Sequence, residues 1–507
     1  MELVKQSQCY RFLAAVWVLW QESLLGRTLE RVFLWFERGW QGSGLMAFFR
    51  REGVLSQSWP RSVTCRFLNG LVNLPVNLLH RLYRAFQPSF DGSFFATLAF
   101  DMGDGAAIAV SWFMALVLSI PFERWNNAYS MLGFVFCLLL VIAGGMRRRS
   151  LRLDVAAMGP YAVAFAAAVI LALPMSVYPA LSGRFLLDHI TCMLCVLVTV
   201  SAVRHTGDLV RLCAGAALGV LTSSAYGIVQ RIQGIEVNES YVDITLNAGM
   251  PGRVYSFFDN PNAFAQMLIC FLPLVLALVI CSKKWYSKVA AFGIFCLGGG
   301  ALLMTYGRAS WIGLAFAIVV FVFLWRPRLI PVLVLLAVAC IPFLPDTILN
   351  RILTITNLND SSTSGRFPLY EAALNLIEVR PVSGAGLGTS AVQQFIKDNN
   401  LYHARAPFVH AHNIYLQVWL ETGLFGVITF LGTMLWGYKS AAAAVKNTSS
   451  SAVRVITLAG ASAVAGACVC GMADYLWNYP RVMCAFWFLF AITLSGIKVC
   501  KLEKKMV

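Results

Sequence analysis

Asn262-Ala-Phe-Ala-Gln-Met-Leu-Ile-Cys-Phe-Leu-Pro-Leu-Val-Leu-Ala-Leu-Val-Ile-Cys281 runs for twenty residues without a charged side chain. At about 1.5 Å of rise per residue, a helix of that length spans the roughly 30 Å hydrocarbon core of a bilayer. Outward from it the pattern recurs on both sides. Twelve candidate spans are predicted, at 106–122, 129–145, 158–180, 184–203, 209–229, 262–281, 286–306, 309–325, 329–344, 414–436, 452–473 and 481–498. The ninth is the weakest, because Pro342 and Pro345 shorten it. Composition agrees: of 507 residues 59% are hydrophobic and 13% charged, against about 25% charged in an ordinary soluble protein. Soluble multidomain, collagen-like, disordered and disulfide-scaffold classes are excluded. The expected fold class is an all-α polytopic membrane protein with about twelve transmembrane helices.

The net charge of +16, from 40 Lys and Arg against 24 Asp and Glu, would suggest nucleic acid in a soluble protein. In a membrane protein, basic residues fix helix orientation and meet anionic headgroups, so no nucleic-acid partner is expected and the bilayer itself is the partner. With residues before 106 placed in the cytoplasm, the inward short connections and C-terminal tail hold 18 Lys and Arg, and the outward connections hold 6. Both termini are therefore expected to be cytoplasmic. The 14 cysteines show no pairing pattern and mostly fall in apolar runs, as do Cys192 and Cys195, which reads as small buried hydrophobes.

Four regions follow: 1–105, 106–344 with spans one to nine, the connection 345–413, and 414–507 with the last three spans and a tail. Residues 1–105 alternate apolar clusters with arginine, as in Arg27-Thr-Leu-Glu-Arg31-Val-Phe-Leu-Trp-Phe-Glu37-Arg38. No stretch there is long and charge-free enough to cross, and the pattern is not that of a cleaved signal peptide. Amphipathic helices on the inner leaflet fit it, with a small soluble cytoplasmic domain as the alternative.

The connection 345–413 is the longest between spans, and long connections are often functional. It is expected to lie outside the membrane as one large loop with short helices, including a helical stretch over Leu369–Ile377. Gly384-Ala-Gly-Leu-Gly388 lacks the spacing of a dinucleotide loop and reads as a turn that lets backbone pass closely. No phosphate loop and no Asp-x-Asp pair occur in the chain. His410-Ala-His412-Asn413 closes the loop. Its readings are half a metal site, for which no acidic or cysteine partner stands nearby, a helix start capped by Asn413, or a general base. No metal and no cofactor are expected.

Arg253 precedes the sixth span in Gly252-Arg253-Val-Tyr-Ser-Phe-Phe-Asp259-Asn260-Pro261-Asn262, and Arg308 sits in the tight turn Thr305-Tyr-Gly-Arg308. Each is either an interfacial anchor or a phosphate ligand, since a planar guanidinium gives paired hydrogen bonds and keeps its charge. Two on one face suit a diphosphate. Glu421 and Asp474 lie near or within spans, where acids are functional suspects; for Glu421 a structural hydrogen bond is favoured.

Taken together, Gly252-Arg253 with Asn260-Pro261-Asn262-Ala263, Gly307-Arg308-Ala-Ser-Trp311, Gly365-Arg366, Pro381-Val-Ser-Gly384-Ala-Gly386-Leu-Gly388 and His412-Asn413-Ile-Tyr-Leu416-Gln417 with Glu421-Thr-Gly423-Leu-Phe-Gly426 resemble the O-antigen ligase / O-antigen polymerase superfamily of bacterial envelope proteins. The resemblance covers roughly residues 230–435. It implies a metal-independent glycosyltransferase of the bacterial cytoplasmic membrane. Such an enzyme takes a glycan from undecaprenyl diphosphate on the outer face and attaches it to a hydroxyl of a glycan, lipid or protein acceptor. By resemblance, Arg253 and Arg308 bind the diphosphate and His412 is the catalytic histidine, with His410 beside it. Arg366, Arg405, Asn260 and Asn262 are further candidate substrate ligands.

The residues allow the same chemistry. A sugar diphosphate carries its own leaving group and needs charge stabilisation more than an acid. A histidine that takes the proton of an in-line hydroxyl predicts inversion at the anomeric carbon. The rival class is a transporter or flippase for an anionic lipid-linked glycan. Internal repeats would favour it, and none is visible between the two halves.

Overall fold

The computed structural model describes residues 21–238, 249–356, 364–404 and 407–506, with isolated positions before residue 21. Regular structure among the described residues is helical throughout. An apolar segment out of water has no solvent for its N–H and C=O groups, and a helix satisfies them internally. The helices used below are α1 (Leu24–Gln41), α2 (Val63–Val72), α3 (Leu74–Ala85), α4 (Phe94–Asp104), α5 (Ala106–Ser119), α6 (Asn127–Arg147), α7 (Pro160–Met175), α8 (Pro179–Ala202), α9 (Thr206–Gln233) and α10 (Pro261–Cys281). They continue as α11 (Trp285–Met304), α12 (Arg308–Trp325), α13 (Ile330–Cys340), α14 (Asp346–Leu353), α15 (Phe367–Val379), α16 (Thr389–Asp398), α17 (Ile414–Ala444), α18 (Ser451–Cys470) and α19 (Pro480–Met506).

Nine of these, α6, α8 to α12 and α17 to α19, are long and apolar enough to cross a membrane. The chain is a polytopic helical membrane protein, but the twelve full-length spans expected from sequence reduce to nine among the described residues. Helices stand at the other three positions with different geometry. α4 and α5 are bent by 73° at Gly105 and together make a tenth span or a re-entrant pair. α7 has 16 residues and ends just past Pro174. The weak ninth segment is a short α13 flanked by 3-10 turns at Pro327 and Pro342, where a missing N–H interrupts the ladder.

The bundle is organised around α19. Phe486, Trp487, Phe488 and Phe490 on it are each at most 1% exposed, and Trp487 packs against Phe165 and Trp477 at ring separations of 5.7 and 5.6 Å. α19 is covered on every side by its neighbours, whereas α13, equally apolar all round, leaves Val334, Leu335 and Val338 exposed, as a lipid-facing helix does. α12 and α18 cross at Gly313 and Gly466: a Cβ on Gly466 would lie 2.4 Å from the Gly313 carbonyl oxygen. Small residues at the crossing bring the two backbones together. The described cysteines are all free and most are buried.

Contacts sort the connections into two ends. At one, Lys498 pairs with Asp154 at 3.2 Å, Lys501 with Glu52 at 2.9 Å, and Thr448 and Thr206 both bond Glu503. At the other, the N-termini of α10, α12, α17 and α19 gather around the C-terminus of α18. Ile414 N donates to Gly471 O at 2.8 Å, Ser310 Oγ meets Cys470 Sγ at 3.6 Å, Gln266 bonds Asp474, and Arg481 bonds the Phe257 carbonyl. The described residues of α15, α16 and the stretch before α17 fold onto this second end, where Leu376, Val392, Phe395 and Phe408 share a small core with Leu420 of α17.

Candidate functional site

The site begins with α10. Asn260 caps it by accepting the Asn262 N–H at 2.7 Å, and Pro261 opens the first turn, where its missing N–H costs nothing. Asn262 and Gln266 are four residues apart and share one face of the helix. Asn262 Oδ1 accepts a hydrogen bond from Arg253 Nη2, and Gln266 Nε2 donates to Asp474 Oδ2 at 2.9 Å. One helical turn thus connects the arginine arm of the site to its histidine arm.

Arg253 is buried, with Nε donating to the Thr305 carbonyl at 2.6 Å, while Val254 N bonds Met304 O at 3.1 Å. A Cβ on Gly307 would lie 3.7 Å from Arg253 Nη2, so this guanidinium lies against the turn that carries Arg308. Tyr306 in that turn has φ of 54°, the left-handed region. Arg308 is half-buried and donates from Nη1 to Thr354 O at 2.7 Å. Arg351 of α14, 4% exposed, donates from Nε to Tyr306 O at 3.5 Å. Sequence reading missed Arg351; its only signal was an arginine on an apolar helix face, Ile348 being buried beside it. Arg253 also lines an open cavity of about 820 Å³ together with Tyr226, Gln230, Tyr255 and Asp259. His412 and Arg308 do not line that cavity.

The histidine arm is built where the 345–413 segment enters α17. Asn413 caps α17 by accepting from Tyr415 N and Leu416 N, the cap expected from sequence. His412 has φ of 44°, and its N–H donates to His410 Nδ1 at 3.1 Å, with the two rings 4.0 Å apart between centroids and tilted by 47°. His412 Nδ1 lies 3.2 Å from Asp474 Oδ1, whose carboxylate also accepts from Tyr475 N at 2.9 Å. Behind the pair, Ala411 N bonds Gln417 Oε1, and Gln417 and Tyr475 both donate to Glu421 Oε1, at 2.8 and 2.9 Å. Glu421 therefore has the structural hydrogen-bonding role expected of it.

The expectation that the histidine pair lacks an acidic partner is corrected. Asp474 is brought in from the connection between α18 and α19, and the ligand atoms of His410, His412 and Asp474 all lie within 4.8 Å of one another. Nearness in sequence was the wrong criterion. Hydrogen bonding weighs against a metal here. His410 Nδ1 accepts a backbone N–H, which makes Nε2 its protonated nitrogen, and Asp474 already accepts three bonds.

Electrostatics set the protonation states. Burial pushes His410 down to about 3, helped by the neighbouring His412 and Arg366 charges and opposed by Asp474, so it is neutral near pH 7. Burial pulls Asp474 upward, but the His412 hydrogen bond and the His412, His410 and Arg366 charges outweigh it and hold the carboxyl at about 2. An ionised Asp474 requires a proton on His412 Nδ1, which leaves Nε2 as the acceptor nitrogen of a side chain 31% exposed. The charge of Arg366, the residue before α15, acts on both His410 and Asp474, so three of the candidate residues meet here, His410, His412 and Arg366, while Asn262 reaches Arg253 one helical turn away from Gln266. Arg405 lies outside the described residues. The glycine turn behaves as expected: Gly384 has φ of 65°, and a Cβ there would lie 2.5 Å from Leu420 O.

Residues 291–431 match the family described as O-antigen ligase. That region holds Arg308, Arg351, Arg366, His410, His412 and Glu421, and leaves Arg253, Asn262 and Asp474 outside it. No curated protein matches the chain.

Proposed function

From a chain that carries an O-antigen ligase domain of the ligase/polymerase superfamily, and is a membrane enzyme of that type, we propose that it transfers a glycan from undecaprenyl diphosphate to an acceptor hydroxyl on the outer face of the bacterial cytoplasmic membrane. The end of the bundle that carries His412 then faces outward, and both termini face the cytoplasm. In this reading the 345–413 segment is the extracytoplasmic catalytic loop.

The observation that carries the proposal is the Arg253–Asn262 / Gln266–Asp474–His412 linkage across one turn of α10. It sets an anion ligand and an oriented base around one helix N-terminus. The diphosphate is held by Arg253 and Arg308, with four helix N-termini at that end adding positive potential. Asn260, Arg366 and Arg405 are further contacts in the same reading. His412 Nε2 accepts the proton of the acceptor hydroxyl. The hydroxyl oxygen bonds the anomeric carbon as the carbon–oxygen bond to phosphate breaks, and undecaprenyl diphosphate leaves with the bonding pair. Attack opposite the leaving group inverts the anomeric carbon. Asp474 stays ionised and stabilises the imidazolium. The left-handed φ of His412 is the kind of local strain that clusters at functional residues, and supports it as the reacting group. No step calls for a metal.

Proteoliposomes supplied with lipid-linked glycan test this. Wild type should form new glycosidic bonds, whereas glycan that crosses the bilayer without bond formation would indicate a flippase. Arg308→Lys keeps the charge and loses the planar fork, so transfer should fall at least tenfold. Full activity in that variant would remove the diphosphate clamp.

A further inference from the structure

The opposite end of the molecule holds a second basic site that the proposed reaction does not use. α2 and α3 dock on the bundle through specific bonds. Asn73 exchanges a pair with Leu153, Nδ2 to O at 2.8 Å and N to Oδ1 at 2.9 Å, and His80 Nδ1 meets Met146 O at 2.8 Å. Val76 is 1% exposed, and a Cβ on Gly145 would lie 2.7 Å from it. Between α3 and the connection after α6 this docking leaves an open cavity of about 730 Å³. Four guanidinium side chains line it, Arg81, Arg84, Arg149 and Arg152, and no carboxylate does.

The arginines nearby behave differently. Arg147 pairs with Asp101 at 3.1 Å, and Arg148 and Arg204 pair with Asp104 at 3.0 and 3.8 Å. Around the cavity Arg152 bonds only the neutral Asn77 Oδ1, at 3.0 Å, and no ion pair to a described carboxylate involves Arg81, Arg84 or Arg149. Arg81, Arg84 and Arg149 are exposed and Arg152 half-buried, so water screens the four like charges, and an anion that enters the cavity meets all four at once. The cavity wall is also apolar on one side: Leu74 and Leu78 line it and are 64% and 66% exposed. They belong to a stripe of exposed Val63, Phe67, Leu71, Leu74, Leu78 and Leu82, which recurs every three or four residues through α2 and α3. A helix with such a stripe lies in the membrane interface.

We infer that this cavity binds the phosphate headgroup of an anionic phospholipid, with the four arginines on the phosphate and the acyl chains along Leu74 and Leu78. Arginine forks bind phosphate oxygens in pairs, and basic pockets at the membrane surface recognise anionic lipid in this way. The apolar stripe beside the cavity selects a lipid over free phosphate. The site ties α2 and α3 to one leaflet and stands independently of the proposed reaction.

Thermal unfolding of the purified full-length chain in detergent tests it, because a ligand that binds only the folded state raises Tm with concentration. The probes are dioctanoyl phosphatidylglycerol, dioctanoyl phosphatidylcholine and inorganic phosphate. The anionic lipid should raise Tm saturably, with an apparent affinity at least tenfold above that for the zwitterionic lipid, and inorganic phosphate should leave Tm unchanged. Equal effects of the two lipids, or an equal effect of inorganic phosphate, would overturn the inference without any variant. Arg84→Gln with Arg149→Gln should lower the affinity for phosphatidylglycerol at least tenfold, while Arg326→Gln, outside the cavity, should not. Unchanged affinity in the double variant, or equal loss in the control, would also overturn it.

Discussion

His412 Nδ1 stands 3.2 Å from Asp474 Oδ1, across 62 residues of chain and two different connections. The bond fixes which nitrogen of His412 carries the proton. Asp474→Asn keeps the size of the side chain but offers an amide, which favours the wrong tautomer. Glycan transfer should drop on the order of 100-fold or more, with binding of the lipid-linked donor retained. Combining it with His412→Ala should cost little more than His412→Ala alone, since the two residues act as a unit. A rate in Asp474→Asn near wild type, measured as new glycosidic linkage in proteoliposomes, would separate the pair from catalysis.

Asn262→Ala removes one acceptor of the Arg253 guanidinium, at Nη2, and keeps the bond from Nε to the Thr305 carbonyl. Loss of one charge-assisted bond is worth about 1–3 kcal/mol. The consequence should fall on the donor: KM for the lipid-linked glycan rises roughly fivefold or more while kcat changes less. An effect confined to kcat would place Asn262 with the histidine arm through Gln266 instead.

Much of this arrangement was legible in the chain. Apolar runs announce helices because a bilayer demands internal hydrogen bonding, and Asn413 announces a cap because its short side chain reaches the N–H groups two and three residues on. The bend at Gly105 and the shortness of α7 and α13 were not legible, since window hydropathy counts apolar residues and does not see chain direction. Asp474 was noticed as an acid near a span, but its partnership with His412 depends on the end of α18 meeting the start of α17. Arg351 was missed for the same reason. Its hydrogen bond to Tyr306 O joins residues 45 apart, and no local pattern encodes it.

Gly423 breaks α17 with φ of 67° and ψ of −169°, and a Cβ there would lie 1.8 Å from the Val382 carbonyl oxygen. The break lets Leu424 N bond Pro381 O at 3.0 Å, holding the end of α15 and the glycine turn against α17. Gly423→Ala combines a positive φ with a backbone clash and should destabilise by more than about 3 kcal/mol. Detergent-solubilised Gly423→Ala should give little monodisperse protein by size-exclusion chromatography. Gly183→Ala, in α8 with nothing within 4 Å of the added methyl, should match wild type.

The buried His410 makes stability fall with acid in a defined window. Its folded value is pushed down to about 3 from the ordinary 6.5, chiefly by burial. Above pH 6.5 both states leave it neutral and it contributes no slope. As pH drops below 6.5 the unfolded chain binds a proton that the folded protein does not, so stability decreases continuously toward pH 3. Asp474, held at about 2, adds its own loss from about pH 5 downward, as the unfolded carboxyl takes up a proton that the folded one does not. Between pH 6.5 and 5 the His410 contribution amounts to about 2 kcal/mol. His410→Asn should therefore flatten the dependence of Tm on pH across that interval, whatever it does to Tm at pH 7.5. A variant whose Tm declines as steeply as wild type from pH 6.5 to 5 would show that His410 is accessible to protons in the folded protein.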